Sequence, residues 1–89
     1  MIVESVGSGP DLVLIHGWAM HAGIFSPLTR LLTAPFRVHL IDLPGHGANV
    51  GSAVACSPTA CAHALVASLP RALWVGWSLG GIVALQAAL

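Results

Sequence analysis

The sequence predicts an α/β fold in which a mostly parallel β-sheet carries helices on both faces. Three short runs rich in leucine, isoleucine and valine are predicted as strands, at residues 12–15, 38–41 and 73–75, and a glycine or proline follows each of them. Their apolar character is continuous, so we expect both faces of these strands to be covered. Segments of helical character alternate with the strands, which is typical of a parallel sheet with crossover helices.

The other elements are assigned from local patterns. Residues 2–6 form a weaker strand candidate, closed by the turn signal at residues 7–10. An apolar face at helical spacing predicts the first helix before Pro35, formed by Ile24, Leu28, Leu31 and Leu32. Ser57 as cap and Pro58 at the first helical position predict the second helix, whose apolar side holds Ala62, Leu65, Val66 and Leu69. The third helix begins after Ser78 and runs to Leu89.

The composition argues against several classes of protein. Hydrophobic residues make up 56% of the chain and charged residues 7%, against about a quarter charged in ordinary globular domains. Three arginines, no lysine and three acidic residues give a formal charge of zero, so no basic patch is available for nucleic acid. The N-terminus lacks the charged and apolar regions of a secretory signal, which predicts a cytoplasmic protein.

The two cysteines are candidates for a disulfide or a metal site. Cys56 and Cys61 could pair, but cysteines in a chain without an export signal more often stay reduced and pack as small hydrophobes. With His63 they would supply only three zinc ligands, at a spacing unlike that of zinc fingers. We therefore predict neither a disulfide nor a metal site.

Residues 72–89 carry no charge and approach the length of a membrane span. One alternative is therefore a membrane-inserting segment that forms a single helix through Ser78. The presence of Ser78, Gln86 and the pair Gly80 and Gly81 favours a buried strand, turn and helix instead, so no membrane association is predicted.

Residues 76–80, with the sequence GWSLG, match the pattern G-x-S-x-G between an apolar strand and an apolar helix. This is where the nucleophile elbow of the α/β-hydrolase fold lies. Gly76 and Gly80 would remove side chains that clash in so sharp a turn, and the helix N-terminus would direct amides at the reaction centre. We predict that Ser78 is the nucleophile; a buried turn that happens to contain glycine and serine is the alternative interpretation.

The loop His16-Gly17-Trp18 follows the strand at residues 12–15. In this fold the corresponding loop donates one of the two oxyanion amides. We predict that the backbone N–H of Trp18 partners that of Leu79 and that the indole of Trp18 walls an apolar acyl pocket. His16 precedes the serine, whereas triad partners follow it in this fold, so His16 is expected to be structural.

The third loop, residues 42–47, follows the strand at 38–41. We expect Asp42 to bond backbone amides and the glycines to adopt positive φ, which together shape a tight turn beside the site. A dinucleotide-binding loop is disfavoured, because Gly45, Gly47 and Gly51 lack the required spacing. No lysine exists for a phosphate-binding P-loop.

The segments LVLIHGW, LIDLPGHG and LWVGWSLGG together resemble the pimeloyl-acyl-carrier-protein methyl ester esterases of biotin biosynthesis. The resemblance covers nearly the whole chain, and Trp18 and Trp77 are its most specific positions. It implies a carboxylesterase that releases methanol from a pimeloyl methyl ester held on acyl carrier protein, without metal or organic cofactor. Carried over, Ser78 is the nucleophile, and Trp18 and Leu79 provide the oxyanion amides and contact substrate.

The resemblance also implies that residues 1–89 are the N-terminal part of a single α/β-hydrolase domain. The triad acid and histidine, the helical cap and the carrier-docking patch would lie downstream. We therefore expect the isolated chain to have little activity and to self-associate through exposed apolar surface. Two alternatives remain open, a generic carboxylesterase or thioesterase and a non-catalytic module in which Ser78 is buried and unstrained.

Overall fold

The computed structural model describes residues 3–51 and 57–89. Its strands are β1 (Val3–Gly7), β2 (Asp11–Ile15), β3 (Arg37–Ile41) and β4 (Leu73–Gly76). Its helices are α1 (Ser26–Leu32), α2 (Pro58–Ser68) and α3 (Leu79–Ala88), with short 3-10 helices at Ala22–Phe25 and Gly47–Asn49. The predicted succession of strands and helices is confirmed, including the first strand over its described residues.

The four strands form one sheet in the order β1-β3-β2-β4. Strand β2 runs parallel to both β3 and β4, whereas β1 is antiparallel to β3, so the prediction of a mostly parallel sheet is confirmed. Ile15 pairs with Ile41 on one side and with Gly76 on the other. The carboxyl ends of the three parallel strands therefore lie level, and the loops that follow them meet at one edge of the sheet.

Both faces of the sheet carry apolar clusters, because successive side chains of a strand point to opposite sides. On one face Val13 and Ile15 pack with Leu65 of α2 and Val83 of α3. On the other face the buried residues Leu12, Leu14 and Val38 contact partly buried side chains, namely Phe25, Leu32, Phe36 and Leu40. The expectation of a sheet covered on both sides is confirmed for β2 and β3.

The predicted buried face of the first helix is wrong. Ile24, Leu28 and Leu31 are 41%, 42% and 75% exposed, and only Leu32 of the four predicted side chains packs against the core. Ile24 lies in the 3-10 helix that precedes α1, where the repeat is 3.0 residues rather than 3.6, so it falls out of phase with Leu28 and Leu31.

Helix α2 begins as its sequence predicts. The Ser57 hydroxyl accepts a hydrogen bond from the N–H of Ala60 at 3.2 Å, and Pro58 occupies the first helical position, where no N–H donor is needed. Cys61 is fully buried in the core beside Leu65. Cys56, its candidate disulfide partner and a candidate metal ligand, lies outside the described residues.

The segment at residues 72–89 is not a single helix. It divides into strand β4, which ends at Gly76, and helix α3, which begins at Leu79. In the part of the chain that the structure describes, no helix combines the length and the apolar character needed to cross a bilayer.

Candidate active site

Ser78 lies at the abrupt change from β4 to α3. Its backbone has φ 53° and ψ −115°, a conformation that residues other than glycine rarely adopt. Such a conformation costs about 1–3 kcal/mol and persists only where the surrounding structure enforces it. The residue is exposed, so its hydroxyl is presented at the sheet edge rather than packed into the core.

Close backbone contacts enforce this turn. A Cβ on Gly76 would lie 2.2 Å from the carbonyl of Gly80, and a Cβ on Gly80 would lie 2.2 Å from the carbonyl oxygen of Ile15. Both are impossible contacts, so neither position has room for a side chain. The start of α3 is therefore pressed directly against the end of β4 and the end of β2, which holds Ser78 between them.

The loop after β2 touches this turn. The N–H of Trp77 donates to the carbonyl of Ile15 at 2.9 Å, and a Cβ on Gly17 would lie 2.9 Å from the Trp77 ring and 3.3 Å from Cβ of Ser78. Gly17 thus allows the loop to approach the serine. Trp18 follows with its indole 66% exposed at the edge of the site.

The amides of Trp18 and Leu79 lie in the two segments that meet at the serine, the loop after β2 and the start of α3. Leu79 is the first residue of α3, so its N–H belongs to the unpaired donors of a helix N-terminus. Within residues 3–51 and 57–89, no hydrogen bond to another described residue uses the N–H of Trp18 or Leu79. Both donors are consequently available to an oxygen atom of a ligand.

His16 is buried and fully hydrogen-bonded. Its Nδ1–H donates to the carbonyl of Gly17 at 2.7 Å, and its Nε2 accepts from the N–H of Leu43 at 2.9 Å. Burial lowers the pKa of His16 below its usual value, because the charged ring would lose its hydration, although the bond to the Gly17 carbonyl partly opposes this. The ring is therefore neutral and cross-links two loops, which agrees with a structural role.

The loop at residues 42–47 has the predicted shape. Gly45 and Gly47 have φ values of 79° and 47°, and the Asp42 carboxylate accepts from the N–H of Ala22 at 2.7 Å. A Cβ on Gly47 would lie 2.5 Å from that carboxylate, so the glycine is needed for the turn to close over Asp42. The expectation that Asp42 and the glycines shape a tight turn is confirmed by these contacts.

His46 is a residue of this loop that sequence reasoning missed. Its Nε2 accepts from the N–H of Ala19 at 2.9 Å, and its Nδ1–H donates to the carbonyl of Pro44 at 3.0 Å. The imidazole also meets the Trp18 indole edge-on, with ring centroids 5.3 Å apart. No sequence pattern indicates the contact with Ala19, because it joins residues 27 positions apart in the chain.

Neither of these two histidines is placed as a general base. Their ring nitrogens are taken up by backbone groups, and no hydrogen bond between the described residues joins a histidine to the Ser78 hydroxyl. The arrangement offers an exposed hydroxyl and two backbone N–H donors, and neither of these two imidazole rings is free to take a proton from the hydroxyl.

A second serine, histidine and acid are hydrogen-bonded in series across the sheet. His39 Nε2–H donates to the Asp11 carboxylate at 2.8 Å, and His39 Nδ1 lies 2.8 Å from the Ser5 hydroxyl. These residue types occur in hydrolase triads, yet Ser5 lies within the regular strand β1, directly opposite His39 in the register. All three residues lie in paired strands of the sheet, so we assign this cluster to the fold.

Comparisons with known proteins agree with this geometry. Residues 12–89 match the model of the alpha/beta hydrolase family. The chain is 51% identical over 88 residues to a pimeloyl-[acyl-carrier protein] methyl ester esterase of Xylella fastidiosa, covering 99% of this chain and 34% of that protein. It is 48% identical over 91 residues to the enzyme of the same name from Xanthomonas campestris, covering 99% and 35%.

A solved structure supplies a comparison of shape. The esterase EaEST from Exiguobacterium antarcticum superimposes with a TM-score of 0.84 at 27% sequence identity, over 96% of this chain and 34% of that one. This chain therefore spans about a third of the length of the proteins it matches. On the family match and on the fold, this chain belongs to the alpha/beta hydrolase family.

Proposed function

We propose that this chain supplies the nucleophile and the oxyanion amides of a serine hydrolase that cleaves carboxylic esters. The observation that carries the proposal is the exposed Ser78 with φ 53°, held where β4 ends and α3 begins. A non-catalytic module would have no reason to maintain a strained and exposed serine at this point. The location of Ser78 supports the proposal, because the nucleophile of this fold attacks a bound carbonyl group from the same turn between strand and helix.

The chemistry follows from the groups around the serine. The Ser78 hydroxyl attacks the ester carbonyl while a histidine takes its proton, and the carbonyl oxygen becomes an oxyanion. The N–H groups of Trp18 and Leu79 stabilise that charge, and the partial positive charge at the N-terminus of α3 adds to their effect. The alcohol leaves with the proton from the histidine, and water then hydrolyses the acyl-enzyme.

The base would come from outside this chain's described residues. His16 and His46 are both bound to backbone groups, and triad acids and histidines follow the serine in this fold. We propose that they belong to the two thirds of the related esterases that this chain does not match. Residues 1–89 would then form part of a single catalytic domain.

The names of the relatives suggest the substrate and the partner. We propose that the ester is the methyl ester of a pimeloyl chain, that acyl carrier protein presents it, and that the reaction takes place in the cytoplasm as a step of biotin synthesis. The exposed indole of Trp18 supports an apolar acyl chain, because it offers an uncharged wall next to the serine. An apolar acyl chain needs no charged side chain at that wall to bind.

A direct test joins residues 1–89 to the part of the Xylella fastidiosa esterase that this chain does not match. In this chimera, Ser78→Ala should lower kcat for pimeloyl-acyl-carrier-protein methyl ester by at least about 1000-fold, because only oxyanion binding remains. Ser5→Ala is the matched control, since Ser5 is hydrogen-bonded to a histidine but lies in β1. Its kcat should change less than about twofold, and near-normal turnover by Ser78→Ala would exclude the proposal.

A generic carboxylesterase is the second candidate, favoured by the structural match to the Exiguobacterium antarcticum esterase. The same chimera separates the two candidates through kcat/KM on different substrates. A preference of at least about 100-fold for the carrier-bound methyl ester over a short p-nitrophenyl ester or an acyl thioester supports the specific enzyme, since it equals about 2.7 kcal/mol of discrimination. Equal values support the generic esterase.

A further inference from the structure

The loop that carries the proposed oxyanion amide of Trp18 is strained. Ala19, the next residue, has φ 62° although it is not glycine. A residue in this left-handed region costs free energy, so a neighbouring contact has to hold it there. Apart from the bond of Met20 N–H to the Gly17 carbonyl at 3.2 Å, the hydrogen bond that fixes this turn is the one from Ala19 N–H to His46.

His46 is well suited to hold the turn. The imidazole is 8% exposed, and its Nδ1–H is committed to the carbonyl of Pro44, which leaves Nε2 as a fixed acceptor facing Ala19. The same ring meets the Trp18 indole at an interplanar angle of 78°. One side chain therefore restrains both the backbone and the ring at the mouth of the candidate site.

Because the N–H of Ala19 is bound to His46, the loop presents a different amide to a ligand. Ala19 N–H points to His46, and Met20 N–H points back to Gly17. Of these three successive amides, Trp18 N–H is the one that no described residue accepts. If the Ala19 bond were lost, the turn could relax from its positive φ. Relaxation rotates the peptide unit between Trp18 and Ala19, and the unit that carries the Trp18 N–H is joined to it directly at the Cα of Trp18.

We propose that His46 is a positioning residue that fixes the oxyanion amide of Trp18 through the main-chain N–H of Ala19. This inference rests on the proposed ester hydrolysis and adds a residue to it. His46 does not touch the substrate in this proposal. It acts by keeping the Trp18 amide in place before the transition state forms, which is where an oxyanion donor has its effect.

Two substitutions at residue 46 separate the acceptor from the bulk of the ring. In His46→Gln the side-chain oxygen can reach the position of Nε2, whereas in His46→Asn the shorter amide reaches only the position of Nδ1. In the chimera, His46→Asn should lower kcat about 10- to 100-fold with KM changed less than about threefold, because misplacement by about 1 Å has effects of this size. His46→Gln should restore kcat to within about threefold of the unsubstituted chimera.

Controls keep this test independent of folding and of the proposed function. Ser57→Ala removes the cap of α2 far from the loop, so it should lower Tm while leaving kcat unchanged. In the unsubstituted chimera, amide hydrogen exchange should be at least about tenfold slower at Ala19 than at Trp18, a result that needs no variant to fold.

The outcomes are distinct. If kcat of His46→Asn equals that of the unsubstituted chimera, if His46→Gln is as slow as His46→Asn, or if Ala19 and Trp18 exchange at the same rate, the inference is wrong. Near-normal turnover by Ser78→Ala would instead overturn the proposed function. Loss of turnover by Ser78→Ala with unchanged turnover in His46→Asn removes only the role of His46.

Discussion

At the scale of single residues, the candidate site depends on two histidines that exchange hydrogen bonds between loops. His16 lies on the loop after β2 and accepts from the loop after β3, whereas His46 lies on the loop after β3 and accepts from the loop after β2. Their rings lie 5.1 Å apart. His16 accepts through a neutral Nε2, so a second proton on its ring would place a donor against the N–H of Leu43.

This arrangement predicts a pH dependence of stability. The lowered pKa of His16 means that the native state stays neutral at a pH where the unfolded chain binds a proton. The free energy of unfolding should therefore be constant above the ordinary histidine pKa of about 6.5 and should fall below it, by up to about 1.4 kcal/mol per pH unit for this one group.

Urea unfolding of the chimera between pH 5 and 8 measures this effect. His16→Gln, which can still accept from Leu43 but does not titrate in this range, should flatten the decline. His63 is exposed on α2 and serves as the control, because His63→Gln should leave the decline as it is. An equal slope in His16→Gln and the unsubstituted protein would contradict the assignment.

At the scale of elements, polar side chains join the strands of the sheet in addition to the backbone hydrogen bonds between them. Ser5, His39 and Asp11 belong to β1, β3 and β2, three strands that are adjacent in the sheet. His39 is 4% exposed, so its Nε2–H would lack a partner if the Asp11 carboxylate were removed. The series of hydrogen bonds thus fixes the register of the antiparallel strand β1 against the parallel part of the sheet.

Substitution of Asp11 tests this role. Asp11→Ala should lower the free energy of unfolding by about 1–3 kcal/mol because it leaves a buried donor unpaired, and Asp11→Asn, which keeps an acceptor, should cost less. Both are measured by urea unfolding of the chimera. Asp11 begins β2, at the opposite end of the strand from Ile15 and the elbow, so kcat per folded molecule should not change; a loss of kcat in Asp11→Asn would point to a catalytic role instead.

The elements that the sequence predicts well are those with a local cause. The strand ends, the cap Ser57 and the turn at Ser78 follow from apolar runs, capping residues and the G-x-S-x-G spacing, which act within a few residues. The exposure of Leu28 and Leu31, the φ of Ala19 and the contacts of His46 and His39 depend on which distant segments meet. No periodic pattern in the sequence indicates which of these distant segments come into contact.

At the scale of the whole molecule, apolar side chains are exposed around the β4 edge of the sheet. In β4 itself, Leu73 and Val75 are 61% and 43% exposed, and on α3 Ile82 and Leu85 are 55% and 65% exposed. Leu73, Trp74 and Leu85 line an open groove of about 850 Å³ between β4, α2 and α3. Contiguous apolar surface of this kind promotes association with other apolar surfaces.

We therefore predict that the 89-residue chain self-associates in dilute buffer. Static light scattering should give a mass above that of the monomer, rising with concentration. Leu85→Lys should shift the mass toward 9.1 kDa, because it places a charge in the groove, whereas Leu31→Lys, on the other side of the sheet and 75% exposed, should not. A monodisperse monomer at every concentration would show that the chain does not self-associate through the groove.

The backbone of Ser78 has one more consequence, for laboratory evolution. Glycine tolerates φ 53° without the steric cost that serine bears, so a library of variants sorted only for thermal resistance should accumulate glycine at position 78 and discard the reactive oxygen. Selection for thermal resistance would thus favour glycine at this position, whereas selection for turnover would favour serine. A thermostable descendant of this chain should have its residue 78 checked before any claim about its catalysis is made.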